Sequence, residues 1–583
     1  MDPQITVLDA GGQYCHLIAR RVRDLGVYAE VAPSETPAGD LARRRGVIIS
    51  GGPSSVYDPR SPTIDPALLD SGTPVLGICY GQQLMAHLLG GLVQKGERGE
   101  YGFAQLDITA ADTIFRGIEG RQQVWMSHRD LVVKPPEGFI VLAGTETCPI
   151  AAIAAPERRL YAIQFHAEVV HTPSGRTILS NFLFDVCGCR RDWDPAGQVQ
   201  AVEEQIRAVA GDRNVFFFVS GGVDSTVAYT LCLRALGPDR VHGTYVDTGL
   251  MRDGETEFVR TNFAALGARA FAVEDAQARF LDALAGVIDP EKKRHIIGEQ
   301  FVDVQEKILE SEHFLDGHWI LGQGTIYPDT IESGGTANAD LIKTHHNRVA
   351  GIQKLIEQRR IIEPLASFYK DEVRAIGREL GLAPELLDRH PFPGPGLAIR
   401  CLGSERNGVP KRLEDGWLLP VQSVGVQGDS RTYRAVLALE QFPASEEEAA
   451  RLINRLEGIN RVVVAVWTAA PLPELRVSPA GLTAERLARL RRADAIVRRL
   501  AHESGFDKEV WQFPVVLIPA GTAERPDSVV LRPIDSVDGM TAQAVKMPPE
   551  LLARMVRELS ALPGIAGIFY DLTNKPPATI EWE

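Results

Sequence analysis

The 583-residue sequence predicts an α/β protein in three successive parts, and three observations carry that expectation. Short apolar runs of strand length alternate with helical segments through the first 190 residues. A second apolar run, Phe216–Val219, empties into Ser220-Gly221-Gly222, and a helical pattern with Val227, Leu231 and Leu233 follows. Toward the end, a helix-then-strand unit occurs twice, around Arg455–Val462 and again around Ala561–Ile568. Length allows roughly three to four domains at ~150 residues each. The divisions expected are 1–190, 191–395 and 396–583.

Composition excludes several classes. With 44% hydrophobic and 24% charged residues the chain is of ordinary globular type. A net charge of −14 argues against a nucleic-acid partner held on a broad basic face. Met1-Asp2-Pro3-Gln4 leads straight into a strand, and no apolar run approaches the ~20 residues that span a bilayer. Seven cysteines in so long a chain make no disulfide framework, which fits a reducing cytoplasm.

In residues 1–190 the expected strands are Ile5–Leu8, Gly46–Ser50, Pro74–Ile78 and Tyr161–Phe165. Gly77-Ile78-Cys79-Tyr80-Gly81 places a cysteine between a strand and a helix expected over Gln82–Leu89. Glycines on either side permit the tight turn of a nucleophile elbow, and a helix N-terminus favours a thiolate. A nucleophile needs a base and a group to orient it. Two residues apart on an extended segment, His166 and Glu168 point the same way and supply both. Cys187-Gly188-Cys189 has no Cys or His pair at ligand spacing nearby, so it reads as structural.

In residues 191–395 a polar helix, Ala196–Val209, leads into Ser220-Gly221-Gly222-Val223-Asp224-Ser225-Thr226. The two glycines let a ligand approach the backbone amides, and the following helix presents its positive end to the same point. Ser220, Ser225 and Thr226 add hydroxyl donors. Such a loop cradles pyrophosphate; it lacks the Gly-Lys-Ser/Thr ending of a Walker A loop. The strand Val241–Val246 ends in Asp247, about 20 residues past the phosphate loop, where nucleotide folds often read ribose or base. Ala270–Val273 is a further strand candidate, and Lys370-Asp371-Glu372 opens a helix. Pro290–Arg294 precedes an amphipathic helix, and His390–Leu397 is too proline-rich for either regular element.

In residues 396–583 the repeated helix-strand unit suggests a pseudo-symmetric α/β domain. The final stretch, Asp571–Glu583, carries aromatic and β-branched residues and rigid prolines, so it is expected to dock rather than fray.

These strings, in this order, resemble the glutamine-hydrolysing GMP synthetases along essentially the whole chain. The first part looks like a class I glutamine amidotransferase, with Cys79 as nucleophile, His166 as base and Glu168 as its partner. Ser50-Gly51-Gly52-Pro53 matches the loop that gives one oxyanion-hole amide, from Gly52, with the Tyr80 amide as the other. Gln83 and a turn holding Ser127 and His128 match glutamine-binding positions. Ala167 stands where relatives commonly carry proline. The middle part resembles the PP-loop ATP pyrophosphatases, an adenine nucleotide alpha hydrolase-like fold. There the resemblance assigns Ser220, Gly221, Gly222, Val223, Asp224, Ser225, Thr226, Asp247 and Lys370 to ATP, with Mg²⁺ as cofactor. Residues 334–335 and Lys343-Thr344-His345-His346 suggest a lid. For the xanthosine monophosphate (XMP) substrate it assigns Arg294, Arg431, Gln512, Lys575 and Glu581, in a C-terminal α/β domain with an internal repeat.

The resemblance implies that ATP adenylylates the C2 oxygen of XMP, releasing pyrophosphate. Ammonia from glutamine then displaces AMP. Partners are small molecules only, and the state is monomer or homodimer: the second repeat sits in the same chain, whereas many bacterial relatives pair a single copy across a dimer. The alternatives are another PP-loop amidotransferase ligase or a tRNA-modifying PP-loop enzyme, and a catalytically dead nucleotide-sensing or partner-binding protein. Acidity and the joined glutaminase oppose the former; the intact Cys79, His166, Glu168 and phosphate loop oppose the latter.

Overall fold

The computed structural model describes residues 2–110, 113–332, 349–427, 430–443, 451–453, 455–456, 458–536 and 541–583. The region expected to form a lid, residues 428–429 and the side chain of Arg431 lie outside the described residues. Two compact units are present, one reaching Gln198 and one beginning at Val199.

The first unit is built on nine strands: β1 (Ile5–Asp9), β2 (Ala29–Pro33), β3 (Gly46–Ile49), β4 (Val75–Ile78), β5 (Leu92–Ile108), β6 (Arg121–Lys134), β7 (Ile140–Gly144), β8 (Ala152–Ala155) and β9 (Leu160–Ile163). Their order is β2-β1-β3-β4-β9-β8-β7-β5-β6. The run from β2 to β9 is parallel, and every residue of β3, β4 and β9 is buried. Apolar runs without alternation mark strands covered on both faces, which is why they read so plainly in the sequence. In such sheets ligands bind beyond the carboxyl ends of the strands. Ser50, Cys79 and His166 all follow such ends.

In the second unit a five-stranded parallel sheet has the order β12-β11-β10-β13-β14. Its strands are β10 (Asn214–Val219), β11 (Val241–Asp247), β12 (Ala270–Asp275), β13 (Trp319–Gly322) and β14 (Ile361–Ile362). The phosphate-loop candidate leaves the carboxyl end of central β10, and the helix Val223–Leu236 follows it.

The same unit holds a seven-stranded mixed sheet. Its members are β15 (Lys411–Arg412), β16 (Trp417–Gln427), β17 (Ser430–Leu439), β18 (Ile459–Thr468), β20 (Val515–Ile518), β22 (Asp527–Leu531) and β25 (Ile565–Asp571); the short β19 (Arg476–Val477), β21 (Ala520–Gly521), β23 (Ile534–Asp535) and β24 (Gln543–Ala544) lie in two-stranded ladders. The two copies of the sequence repeat supply β18 and β25, which pair antiparallel at the centre. Outward from them the pairings are parallel and then antiparallel on each side, through β17 and β16 on one and β22 and β20 on the other. The internal repeat is therefore a pseudo-two-fold in the sheet.

The C-terminal segment is docked on this sheet by buried charge. Arg461, Arg532 and Asp571 are all fully buried; Asp571 Oδ2 lies 2.9 Å from Arg461 and 2.7 Å from Arg532, and it accepts from Trp582 Nε1 at 2.9 Å. The guanidiniums in turn donate to the carbonyls of Thr579, Ile580 and Glu581. Burial opposes the Asp571 charge, but the two arginines outweigh it and hold its pKa below the ordinary carboxylate range. Its contribution is therefore present above about pH 4 and lost as pH falls through the lowered value. Asp571→Asn leaves two guanidiniums buried without a counter-charge. It should cost about 3–5 kcal/mol in the urea unfolding of this unit.

Candidate active site

Cys79 follows β4 and caps the helix Tyr80–Leu88 with φ 53° and ψ −106°. A side-chain residue at such angles is strained, and the neighbouring glycines explain how the strain is held. A Cβ on Gly77 would lie 2.6 Å from the Gly81 carbonyl carbon, and one on Gly81 would lie 2.4 Å from the Ile49 oxygen. The Gly-x-Cys-x-Gly spacing is thus a packing requirement of a turn that projects the thiol. The helix starts two residues earlier than Gln82, so the Tyr80 amide belongs to its unpaired first turn.

His166 is 4% and Glu168 1% exposed, and His166 Nδ1 lies 2.6 Å from Glu168 Oε1. The imidazole lies beside the Cys79 thiol, close enough for the sulfur to favour its charged form. Burial works against a charged imidazole, but Glu168 and Cys79 outweigh it and raise His166 to about 10. The ring is fixed from outside as well. His166 N donates to Trp125 O at 3.0 Å, Thr172 Oγ1 donates to His166 O at 2.6 Å, and the Tyr14 ring meets the imidazole edge-on at 5.1 Å. Arg21 Nε donates to the Glu168 carbonyl at 2.9 Å. The pattern gave no sign of Tyr14, Arg21 or Thr172, which act through the chain's tertiary folding.

Gly51 packs directly on this pair: a Cβ there would lie 3.0 Å from His166 Cε1 and 3.4 Å from Cys79 Cβ. Among the described residues neither the Gly52 nor the Tyr80 amide donates to a protein acceptor. Gln83 Nε2 donates to Asp130 O at 2.7 Å and Gln164 Oε1 at 3.2 Å. Ser127 and His128 lie within β6, paired with Tyr101 and Glu100, instead of in the expected turn. The long β5–β6 ribbon runs through this stretch. Ser127 O accepts from Cys79 Sγ at 3.7 Å, and His128 Nε2 lies 3.3 Å from Glu100 Oε2.

In the second unit, Gly221 takes φ +72° and Gly222 caps the helix beginning at Val223. Gly222 N donates to Ser220 Oγ at 3.2 Å, Ser220 and Ser225 hydroxyls are 3.1 Å apart, and Thr226 Oγ1 donates to Gly222 O at 2.8 Å. Arg389 pins the loop, reaching Gly221 O at 3.3 Å while forming a bidentate pair with Glu255. Lys370 pairs with Asp224 Oδ2, and Asp224 Oδ1 is buried with no hydrogen-bond partner among the described residues. Asp247 accepts from Gly249 N in its own loop and from Thr256 Oγ1 and Gln277 Nε2 on two neighbouring helices. It borders a cavity of about 350 Å³ shared with Arg252, Glu255 and Arg491.

A second cavity, of about 220 Å³, brings together Arg294, Lys575 and Glu581 with Val424, Thr579 and Glu583. Gln512 is not among its walls and holds the Pro391 carbonyl at 2.8 Å. Arg400, fully buried, grips Glu581 through two bonds of 2.9 and 2.6 Å. Lys293, also fully buried, donates to Ala398 O, Cys401 O and Glu583 Oε2. Neither Arg400 nor Lys293 stood out in the sequence, because isolated basic residues mostly face water.

A family model for class-I glutamine amidotransferases matches residues 6–186, and one for the GMP synthase C terminal domain matches residues 500–582. A probable glutamine-hydrolysing GMP synthase of Leptospira interrogans is 43% identical over 604 aligned residues, covering 100% of this chain and 99% of the relative. A glutamine-hydrolysing GMP synthase of Thermomicrobium roseum is 41% identical over 99% of this chain and 96% of its own length. One from Thermobifida fusca is 39% identical, over 99% and 98%.

Proposed function

Since the chain belongs to the glutamine-hydrolysing GMP synthases, we propose that its residues divide the reaction between a thiol site around Cys79 and a nucleotide site beside the Ser220–Thr226 loop. The chain is a glutamine-dependent ligase that makes GMP, with ATP as a substrate. The observation that carries the assignment of roles is the buried Cys79–His166–Glu168 contact chain on a strained turn.

Cys79 Sγ attacks the carboxamide carbon of glutamine while the Gly52 and Tyr80 amides receive the oxyanion. His166 takes the thiol proton as base, is held as imidazolium beside Glu168, and gives that proton to the departing ammonia. Water then hydrolyses the thioester to glutamate. Gln83, Ser127 and His128 border the glutamine site. Ammonia reaches XMP as the neutral amine, sheltered from solvent. With ¹⁵N-glutamine and unlabelled ammonium together, most GMP should carry ¹⁵N; full dilution of the label contradicts shelter.

At the second site Ser220, Gly221, Gly222, Val223, Ser225 and Thr226 hold the departing pyrophosphate, and Lys370 meets the ATP phosphates. Asp247 keeps the loop that borders the adenosine in shape. Mg²⁺ fits here: the buried Asp224 Oδ1, without a partner among the described residues, is a carboxylate oxygen of the kind it takes together with substrate phosphates. When bound it neutralises phosphate charge. Arg294, Lys575 and Glu581 receive XMP, with Arg431 reaching its phosphate and Gln512 shaping the proline-rich loop. Lys575→Met should raise the KM for XMP about ten- to a hundredfold, the size of one lost charge–phosphate contact. Initial rates at varied XMP check it; an unchanged KM removes Lys575 from the site.

The functional division we assign is 1–190, 191–395 and 396–583. All seven cysteines are free thiols, which supports a cytoplasmic setting, and no described helix is long and apolar enough to cross a membrane. Partners are small molecules without nucleic acid, in a monomer or homodimer.

A further inference from the structure

The Gly51–Gly52 peptide is held by two neighbours that the triad chemistry does not itself require. Ser50 is fully buried; its Oγ accepts from Ala10 N at 2.9 Å and donates to Gly51 O at 3.1 Å. The Cys15 thiol lies in hydrogen-bond contact with the same hydroxyl and with Asp9. From the other side the loop after β1 closes on the peptide. A Cβ on Gly12 would lie 2.2 Å from Gly51 O and 3.2 Å from Gly52 N, and a Cβ on Gly52 would lie 2.3 Å from Ala10 O. The Gly51 carbonyl is therefore turned toward Ser50 and Gly12. In a trans peptide the next N–H points the opposite way, so this bonding leaves the Gly52 amide on the far edge, without a protein acceptor among the described residues.

A peptide between two glycines has little of its own to choose between this orientation and the flipped one. Flipped, it would aim a carbonyl where the oxyanion needs a donor. We propose that Ser50 is a positioning residue of glutamine hydrolysis: its hydroxyl, backed by Gly12, holds the Gly51–Gly52 peptide with the Gly52 N–H turned out for the oxyanion. The inference rests on the thiol-site reading above and adds to it what fixes the oxyanion donor. Ser50 touches neither substrate nor reacting atoms; it acts through the peptide that follows it.

The test separates amide hydrolysis from a reaction of the same thiol that needs no oxyanion donor. Displacement of iodide from iodoacetamide by Cys79 Sγ passes through no oxyanion. In Ser50→Ala the kcat for glutamine hydrolysis should fall about tenfold or more, toward the ~10²–10³ that loss of one such donor costs. The KM for glutamine and the rate of Cys79 alkylation, followed by peptide mass spectrometry, should stay within about threefold. Gly12→Ala, which drives a methyl at the Gly51 oxygen, should give the same selective loss. A kcat within threefold of the unsubstituted protein, or alkylation falling in step with hydrolysis, overturns the proposal. If Ser50→Ala fails to fold, seen as alkylation of every cysteine, Gly12→Ala decides by the same two readouts. These outcomes leave the thiol reading intact, since that reading fails only if Cys79→Ala still uses glutamine.

Discussion

Cys79→Ala is expected to lose glutamine-dependent GMP formation by on the order of 10⁴-fold or more and to keep the ammonium-dependent reaction. The size follows from removing the atom that forms the thioester; no other group at the site can take that role, because His166 and Glu168 are committed to each other. The fold should tolerate the change. Alanine at φ 53° bears the same backbone strain as cysteine, and losing one sulfur from a nearly buried site leaves a small cavity. With ammonium supplied, the rate should rise with pH, since only the neutral amine is a nucleophile. The measurement is GMP formed with glutamine and with ammonium in the same preparation. Equal loss of both activities would contradict two chemically separate sites.

Glu168→Gln is the second large effect. His166 stands at about 10, raised from its ordinary 6.5 although burial pulls the other way; the Glu168 charge and bond, together with the Cys79 contact, raise it. Removing the carboxylate leaves the burial penalty in place, so the imidazole loses its proton at much lower pH. Glutamine hydrolysis should fall roughly 10²–10⁴-fold. The alkaline limb of its pH profile should move from near 10 toward neutrality. The sign for stability is the same. A group whose folded value is raised stabilises fully below 6.5 and loses that contribution as pH rises through about 10. Thermal midpoints of the unsubstituted protein should therefore decline over that window more than those of Glu168→Gln. Parallel profiles would mean that Glu168 does not hold the proton on His166.

Much of this was legible in the sequence where local backbone demands coincide with chemistry. The glycines around Cys79 and Gly221 in the turn after β10 mark positions that only a small residue fits, so their spacing carried both the turn and the site. Fully buried parallel strands were visible as apolar runs, with ends within two residues of those observed. Ser127 and His128 were expected in a turn and lie in a long ribbon, because strand pairing over β5 and β6 outweighs local propensity. What stayed hidden was held by distance in the chain. Lys293 meets Glu583, Arg400 meets Glu581 and Tyr14 meets His166 across separations that no spacing rule reports.

XMP labelled with ¹⁸O at C2 tests the coupling of the two sites most directly. Converted with ATP and glutamine, it should deliver the label to the phosphate of AMP, with one pyrophosphate formed for each GMP. Label lost to water, or orthophosphate released in place of pyrophosphate, would contradict an adenylylated purine as the acceptor of the nitrogen that Cys79 releases.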